Sequence, residues 1–206
     1  SLRRLGVETI DLYQTHFDDE ATPVEETLAA YAQLIGDGKV RAVGASNLSP
    51  ARLKASLAAS RSGSLPHYES LQPLYNLVDR KGFEADYAPI CRDEGLGVIP
   101  YYALAAGFLT GKYRSAAEAA ANPARGGKVK GYFDARGVAI LKALDEVAGR
   151  HQATSAQVAL AWLIARPPVT APIVSATSVA QLTDIMKAPR LKLSAEDMAA
   201  LDAASR

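Results

Sequence analysis

The chain has 206 residues, of which 49% are hydrophobic and 22% charged, and its formal net charge is +1. This composition is typical of a globular domain with one sizeable core. The nearly neutral charge argues against nucleic acid or an anionic membrane surface as a partner. The single cysteine, Cys91, excludes an intrachain disulfide and favours a reducing, cytoplasmic location. No apolar run is long enough to predict a transmembrane helix.

The chain begins with a short pattern that resembles the end of a helix. Leu2 and Leu5 are spaced for one helix face, and Gly6 stands where a C-terminal glycine cap belongs. We therefore expect that part of the fold precedes Ser1.

Strand and helix patterns then alternate along the chain. Five apolar, β-prone runs are predicted as strands, at residues 9–16, 40–45, 69–72, 97–101 and 171–174. Helices are predicted at residues 22–35, from Ser49, at 82–94, around 136–150, from Ser155, at 179–187 and from Ser194. Thr22 and Ser194 are the expected N-caps of their helices. A long segment, about 104–133, is predicted to be irregular.

This alternation, without interior hairpins, predicts a parallel sheet with helical crossovers. A doubly wound sheet and a TIM-type barrel both fit it. Neither a Gly-x-Gly-x-x-Gly motif after a strand nor a P-loop is present. The histidines His16, His67 and His151 are too far apart in sequence to predict a metal site.

Polar or aromatic residues stand at the end of each predicted strand. In chain order these are His16, then Ser46 and Asn47, then Gln72, then Tyr101 and Tyr102, and finally Ser175 to Thr177. Because parallel barrels build their active sites from the loops at the carboxyl ends of their strands, we expect a site assembled from several of these loops.

Four motifs follow one another along the chain. They are Asp11-Leu12-Tyr13-Gln14-Thr15-His16, Gly44-Ala45-Ser46-Asn47, Gln72-Pro73-Leu74-Tyr75-Asn76 and Gly107-Phe108-Leu109-Thr110-Gly111-Lys112-Tyr113. Together they resemble the aldo/keto reductase superfamily, especially its bacterial members. The resemblance implies an α/β fold of the (β/α)8 TIM-barrel type, here incomplete. It aligns residues 1–206 with about strands four to eight of the family's barrel and their helices. These make up the C-terminal two-thirds of the family's chain, so the N-terminal βα units are not represented.

The resemblance implies an oxidoreductase that transfers a hydride between a nicotinamide cofactor and an aldehyde or ketone. The family uses an aspartate, a proton-donating tyrosine, a lysine and a histidine. Only the histidine is matched here, by His16, which would orient the carbonyl and assist the proton transfer. We therefore expect the 206-residue chain alone to be inactive. The alternative is a cofactor-binding regulatory or inactive barrel module without turnover.

The resemblance also implies which residues bind the cofactor. Ser46, Asn47 and Gln72 would hydrogen-bond the nicotinamide carboxamide, because amide side chains supply both donors and acceptors. Tyr101 would stack on the nicotinamide ring, with Tyr102 beside it. The other residues implied are Leu104, Gly107 and Leu109 along the pyrophosphate, and Ser175, Thr177, Ser178, Gln181 and Asp184 after the last strand.

The resemblance implies NADP(H) as the cofactor ahead of NAD(H), although the loop implied to hold the 2′-phosphate is neutral in this chain. Gln181 stands where many members carry an arginine, so the phosphate would depend on the hydroxyls of that loop and on the N-terminus of the next helix. The expected partner is a small-molecule carbonyl substrate, with neither nucleic acid nor a membrane, and an oligomer is left open.

Overall fold

The computed structural model describes residues 1–121 and 126–206, with the backbone alone for residues 126 and 128. The chain forms two compact units. Unit 1 consists of Ser1–Pro73 and Glu84–Ile99, and unit 2 of Leu74–Phe83 and Pro100–Arg206. Residues 122–125, which belong to the segment predicted to be irregular, lie outside the described residues.

Unit 1 contains the parallel sheet that the sequence predicts. Its strands are β1 (Ile10–Thr15), β2 (Val40–Ser46), β3 (Tyr68–Gln72) and β4 (Gly97–Val98), and each pairs in parallel with the next. Since all four strands point the same way, their carboxyl ends lie at one edge of the sheet. The register pairs Ser46 with Gln72 at that edge.

The helices of unit 1 begin and end close to where the sequence predicts. They are α1 (Leu2–Leu5), α2 (Val24–Gly36), α3 (Pro50–Gly63) and α4 (Ala88–Asp93), and a π-helical turn, Phe83–Tyr87, precedes α4. Gly6 ends α1 with a φ of 68°, as expected of a glycine cap. Ser49 caps α3 by accepting a hydrogen bond from the backbone N–H of Arg52.

The predicted Thr22 cap of α2 is wrong. The N-cap is Pro23, and no side chain caps the helix. The Thr22 hydroxyl instead donates to Asp19 Oδ2 at 2.8 Å, so it stabilises the loop that follows β1.

Apolar side chains between the sheet and its helices form the core of unit 1. Leu28, Val43, Leu53 and Val98 have no exposed surface. Cys91 is also buried, and burial raises the pKa of its thiol to about 11. Cys91 therefore packs in this core as a small hydrophobic residue.

Unit 2 is helical. Its α-helices are α5 (Ala116–Ala120), α6 (Gly126–Val129), α7 (Ala135–His151), α8 (Ser155–Ile164), α9 (Val179–Ile185) and α10 (Ala195–Ser205). Three 3₁₀ segments accompany them: Ala105–Thr110, Lys130–Tyr132 and Ala188–Arg190. The described part of the segment predicted to be irregular is thus largely made of short helices, and the helix predicted at 179–187 ends two residues early. None of the described helices has the length and apolar character needed to span a bilayer.

The fifth predicted strand, at residues 171–174, is wrong, because this segment is irregular in the structure. One hydrogen bond, from the N–H of Ile173 to the carbonyl of Pro100 at 2.9 Å, is of the kind a strand pair would make. Pro172 has no N–H to donate, and neither has Pro100. The described residues therefore contain four named strands instead of five.

The helices of unit 2 pack around large buried side chains. Trp162 of α8 has no exposed surface, and its ring contacts that of Tyr75 at a centroid distance of 5.8 Å. Phe108 and Leu144 are likewise fully buried. The N-cap predicted at Ser194 is confirmed, and it forms a capping box: the Ser194 hydroxyl and the Asp197 side chain each bond the other's backbone N–H.

Candidate functional site

The structure brings the predicted site residues together in two groups, one in each unit. In unit 1 a hydrogen-bond network connects the ends of β1, β2 and β3. The buried Ser46 hydroxyl donates to the carbonyl of Gln72 at 2.8 Å. Asn47 Nδ2 donates to Ser46 Oγ at 3.1 Å and to the carbonyl of His16 at 2.8 Å. The four predicted residues of unit 1 are therefore neighbours.

Asn47 can make these bonds because of its backbone conformation. Its φ is 54°, in the left-handed region that asparagine tolerates better than most residues. This conformation turns the chain directly after β2, and the amide reaches back to the adjacent strand end.

The His16 ring is exposed and packs against the Phe17 ring at a centroid distance of 4.2 Å. It borders a cavity of about 390 Å³ within unit 1. Among the other residues that line this cavity, the Thr15 hydroxyl bonds the hydroxyls of Tyr31 at 2.7 Å and Tyr68 at 3.0 Å. Burial raises the pKa of Tyr68, so this phenol stays protonated near neutral pH.

An ion pair that the sequence analysis missed fixes the loop after His16. Arg52 of α3 binds Asp18 through two bonds, Nε to Oδ2 at 2.8 Å and Nη2 to Oδ1 at 2.9 Å. Arg52 Nη2 also donates to the carbonyl of Thr22 at 2.9 Å. The hydrogen bond to Asp18 raises the pKa of the guanidinium. No local sequence signal pairs these two residues, because 34 positions separate them.

In unit 2 the predicted residues surround an open cleft of about 660 Å³. Those that line it are Tyr101, Tyr102, Leu104, Gly107, Ser175, Gln181 and Asp184. Thr177 and Ser178 are close to it through their hydrogen bonds with Gln181. Leu109 is fully buried and does not line the cleft, so its direct contact with a cofactor is not supported.

One wall of the cleft is a tightly wound loop. Ala105, Ala106 and Gly107 have φ values of 48°, 55° and 101°. A Cβ on Gly107 would lie 3.3 Å from Cε of Lys112, so the glycine allows this lysine to approach the loop backbone. Small residues thus leave the loop backbone accessible from the cleft.

Lys112 is the site residue that the sequence analysis overlooked, although it lies within one of the quoted motifs. It lines the cleft and is the only cation among the lining residues that the structure describes. Its ammonium lies 4.8 Å from the centroid of the Tyr113 ring. A single cation on a cleft of small residues suits the phosphate groups of a dinucleotide.

Tyr101 is positioned by buried polar groups that the sequence analysis also overlooked. Its ring meets that of Tyr102 edge-on at 5.4 Å. The fully buried Asn76 donates to the carbonyl of Tyr102 and to Asp79 Oδ2, both at 3.0 Å. Tyr132 also donates to Asp79 Oδ2, at 3.1 Å, and burial together with this carboxylate raises the pKa of Tyr132 to about 12.

The segment around α9 also lines the cleft. Gln181 Oε1 accepts hydrogen bonds from the backbone N–H of Thr177 at 2.9 Å and from its hydroxyl at 3.0 Å. Ser178 caps α9 by accepting from the N–H of Gln181. Asp184 accepts from Gln157 Nε2 at 2.6 Å and from the Thr154 hydroxyl at 2.9 Å.

The described residues hold no group of three or more histidine, cysteine, aspartate or glutamate side chains that could bind a metal ion. Among the described residues, the predicted groups and Lys112 therefore offer hydrogen bonding by amides and hydroxyls, the exposed imidazole of His16, the ammonium of Lys112 and the carboxylate of Asp184.

Comparisons with known proteins identify the relatives of this chain. The model of the Aldo/keto reductase family matches residues 1–206. Among curated proteins, L-glyceraldehyde 3-phosphate reductase of Escherichia coli is 33% identical over 208 residues, which is 98% of this chain and 60% of that protein. Probable aldo-keto reductase 1 of Glycine max is 32% identical, covering 96% of this chain and 55% of its own length. NADH-specific methylglyoxal reductase of Escherichia coli is 32% identical, covering 96% and 59%.

The fold comparison gives the same family. A crystal structure of a thermostable aldo-keto reductase with the inhibitor epalrestat superposes with a TM-score of 0.77 at 28% identity, over 98% of this chain and 62% of that one. The parallel α/β fold is thus consistent with a TIM-type barrel. The chain spans about 55–60% of the length of the curated relatives described above. The family match covers all 206 residues, so a match to the C-terminal two-thirds alone is not borne out.

Proposed function

Because this chain belongs to the aldo/keto reductase family, we propose that it takes part in the reduction of an aldehyde or ketone by a nicotinamide cofactor. Relatives named as reductases of L-glyceraldehyde 3-phosphate and of methylglyoxal support a small carbonyl compound as substrate. The activity of the whole protein is part of this proposal, because the chain is shorter than these relatives.

The unit 2 cleft is the observation that carries the proposal. Its volume of about 660 Å³ lies within the usual range of small-molecule sites. Tyr101 offers an aromatic face for the nicotinamide ring, and Lys112 offers a positive charge for the pyrophosphate. Because Ala106 and Gly107 leave the loop backbone accessible, an extended dinucleotide can lie along it. When bound, the cofactor supplies the hydride.

The unit 1 group supports two more roles. Ser46, Asn47 and Gln72 carry hydroxyl and amide groups at adjacent strand ends, which suit a planar carboxamide. We assign His16 to the substrate oxygen, because its ring is exposed and its backbone is held by Asn47. An imidazole there donates a hydrogen bond to the carbonyl oxygen and stabilises negative charge that develops on it.

Proton donation is the step for which these residues suggest no candidate. Of the four reacting residues that the family resemblance implies, only His16 is identified in this chain. Burial raises the pKa of Tyr101, which does not suit a phenol that must give up its proton near neutral pH. We therefore keep the expectation that the 206-residue chain alone shows no appreciable turnover.

The proposed function is tested by cofactor titration and by turnover. Trp162 is the only tryptophan of the chain, so quenching of its emission and energy transfer to a reduced nicotinamide report binding. We expect saturable binding of a reduced dinucleotide. Oxidation of that dinucleotide with a panel of small aldehydes then distinguishes an enzyme from a cofactor-binding module. A folded protein that binds neither NADH nor NADPH contradicts the proposal.

A further inference from the structure

We propose that Arg52 is a positioning residue for His16, and that the planar shape of its guanidinium, and not its charge alone, keeps the imidazole in place. The proposal rests on the proposed function, because His16 is assigned there to the substrate oxygen. It adds a residue that lies outside the four motifs that carry the family resemblance.

The loop that begins at His16 is folded on itself by one aspartate. Residues 16–23 form neither helix nor strand. The Asp19 carboxylate accepts hydrogen bonds from the N–H of Ala21 at 3.1 Å and from the Thr22 hydroxyl at 2.8 Å. These bonds shape the turn, but they join residues of the same loop. They therefore do not fix the loop relative to the neighbouring helices.

The Arg52 side chain connects this loop to α3 at three points. Its Nε and Nη2 bind the two carboxylate oxygens of Asp18 at 2.8 and 2.9 Å. Nη2 also donates to the backbone carbonyls of Asp19 at 3.3 Å and Thr22 at 2.9 Å. One guanidinium thus holds both the beginning and the end of the loop that follows His16.

The segment that carries Arg52 is itself fixed. Ser49 caps α3, and its hydroxyl accepts the backbone N–H of Arg52 at 3.2 Å. The next residue, Leu53, has no exposed surface and anchors this turn in the core. At the start of the same segment, Asn47 Nδ2 donates to the His16 carbonyl at 2.8 Å. Both connections to the loop therefore come from the rigid N-terminal end of α3 and the turn before it.

The shape of the guanidinium matters because it makes several bonds at once. Its N–H groups lie in one plane and match the two oxygens of a carboxylate, whereas a lysine ammonium acts as a point charge. The side chains of Arg52 and Asp18 are only 23% and 16% exposed. Solvent therefore screens this ion pair less than it screens a pair at the surface.

Loss of the guanidinium would act on His16 through Asp18. A partly buried carboxylate without its partner is costly, so we expect the Asp18 side chain to turn towards water. Asp18 is two positions from His16 and adjacent to Phe17, whose ring packs on the imidazole at a centroid distance of 4.2 Å. The Phe17 ring is exposed, so little else would keep the two rings together.

The test is NMR spectroscopy of the histidine rings in the folded chain, which needs neither cofactor nor turnover. The chain has three histidines, and His16→Gln identifies the signal of His16. In the unaltered chain we expect a nuclear Overhauser contact between the rings of His16 and Phe17. Arg52→Ala and Arg52→Lys should both lose this contact, and the His16 signal should move towards its position in the unfolded chain.

Arg41→Ala is the matched control. Arg41 also pairs with an aspartate, Asp11 of β1, but both side chains are exposed and lie at the other end of the strand that leads to His16. The ring contact and the His16 signal should therefore stay as they are in the unaltered chain.

A double variant separates the placement of His16 from stability. Asp18→Ala combined with Arg52→Ala leaves no unpaired carboxylate, so it should unfold at nearly the temperature of the unaltered chain. It still lacks the connection to α3, so the contact between the rings of His16 and Phe17 should be lost. Circular dichroism shows that each variant is folded.

Turnover gives a second measurement. In a form of the protein that reduces carbonyls, we expect Arg52→Lys to lower kcat by about tenfold or more, because a misplacement of about 1 Å can cost 10²-fold in rate. The dissociation constant of the cofactor should not change, since Arg52 lines the unit 1 cavity and not the unit 2 cleft.

Four results would overturn the proposal. An intact ring contact in Arg52→Ala, or an unchanged kcat in Arg52→Lys, overturns the positioning role. A ring contact that Arg52→Lys retains shows that charge alone is sufficient. A contact that returns in the double variant shows that only the unpaired Asp18 carboxylate disturbs His16. Failure of the unaltered chain to bind a dinucleotide is instead a failure of the proposed function.

Discussion

Tyr101 is held in place by the backbone around it. A parallel bridge pairs it with Leu74, and Asn76 holds the carbonyl of the next residue, Tyr102. Tyr102 has a φ of 52°, so the chain turns sharply after Tyr101. An aromatic ring that is fixed in this way at the wall of a cleft loses little side-chain freedom when a ligand stacks on it.

We expect Tyr101→Ala to weaken cofactor binding by at least several-fold. Loss of a base–aromatic stack costs about 1–3 kcal/mol in nucleotide-binding proteins, and a nicotinamide ring is comparable in size. Tyr101→Phe is the control, because it keeps the ring and should bind as the unaltered protein does. A dissociation constant that does not change in Tyr101→Ala would contradict the stacking assignment.

His16 should matter for rate more than for cofactor affinity. Charge develops on the substrate oxygen only during reaction, so a group that contacts this oxygen contributes mostly to the transition state. In a form of the protein that reduces carbonyls, we expect His16→Ala to lower kcat/KM by about 10²-fold or more. His67→Ala, another partly exposed histidine, is the control.

A different result would reassign His16. Parallel losses of cofactor affinity and of rate in His16→Ala would indicate that the histidine supports the network of Asn47 and Ser46 instead of contacting the substrate. Steady-state kinetics and cofactor titration on the same preparation make the distinction.

At the level of single elements, β2 depends on a glycine in its middle. A Cβ on Gly44 would clash with Ser70 Oγ and would lie 3.1 Å from Cγ of Gln14. The Ser70 hydroxyl and Gln14 Oε1 are both buried without a hydrogen-bond partner among the described residues. The three strands therefore approach each other closely at this level, two residues before the Ser46 network.

We expect Gly44→Ala to lower the free energy of unfolding by about 1–3 kcal/mol, the usual cost of overpacking. Ser70→Ala removes both the clashing atom and an unpaired hydroxyl, so it should cost little. The double variant should recover a large part of the loss, and a denaturant-based double-mutant cycle measures the coupling. If the stability changes of the two single variants simply add in the double variant, the close approach of Gly44 and Ser70 is contradicted.

The N-terminus of α10 is stabilised by more than its capping box. Asp197 also receives bonds from Arg150 Nη2 and His151 Nε2, both at 2.7 Å. We expect Ser194→Ala to cost about 1 kcal/mol, as a lost cap usually does, and Asp197→Ala to cost more because it removes all of these bonds. Thermal unfolding monitored by circular dichroism shows which of the two variants is less stable. Equal losses of stability would show that the bonds from α7 to Asp197 contribute nothing.

For the molecule as a whole, one carboxylate connects distant parts of unit 2. Asp202 of α10 accepts hydrogen bonds from the Trp162 indole and from Arg80 Nη1, both at 3.0 Å, and is paired with Arg166. The two guanidiniums lie over the Trp162 ring at 5.0 and 4.5 Å from its centroid. Burial by itself would raise the pKa of Asp202, but the bonds from Trp162 and Arg166 lower it overall.

This arrangement makes stability depend on pH in a definite direction. The folded-state pKa of Asp202 is below the usual value of 3.8, so the unfolded chain binds this proton more readily. The contribution is fully present above the ordinary carboxyl pKa and is lost as the pH falls below it. Asp197 acts in the same direction, because hydrogen bonds from His151, Arg150 and Ser194 outweigh its burial and lower its pKa.

We expect Asp202→Ala to lower the free energy of unfolding by about 2–4 kcal/mol at neutral pH, because it leaves partly buried cations without their shared carboxylate. The variant should also lose stability less steeply than the unaltered chain between pH 5 and 3, a window set by the usual aspartate pKa of 3.8. Trp162 emission during urea unfolding measures the free energy of unfolding at neutral pH and its change as the pH is lowered. If the stability of Asp202→Ala falls with pH as steeply as that of the unaltered chain, the role of Asp202 is contradicted.

Local patterns explain which parts of the fold were predictable. The Ser49 and Ser194 helix starts, the Gly6 cap and the first three strands follow from a few neighbouring residues each, and the structure confirms them. The strand predicted at 171–174 failed because an apolar run indicates burial but not whether its N–H groups can join a ladder. Pro172 removes one of the donors that the ladder needs.

The sequence by itself determined the parallel α/β alternation, the family resemblance and the residue types at the strand ends. The tertiary structure decided which of those residues have polar groups left for a ligand. It added Lys112 to the cleft and buried Leu109 away from it. It also showed that the hydroxyl of Thr177 and the amide of Gln157 are already bonded to their neighbours. A sequence specifies how many donors and acceptors a segment carries. Which of them remain available depends on hydrogen bonds between residues that only folding brings within reach.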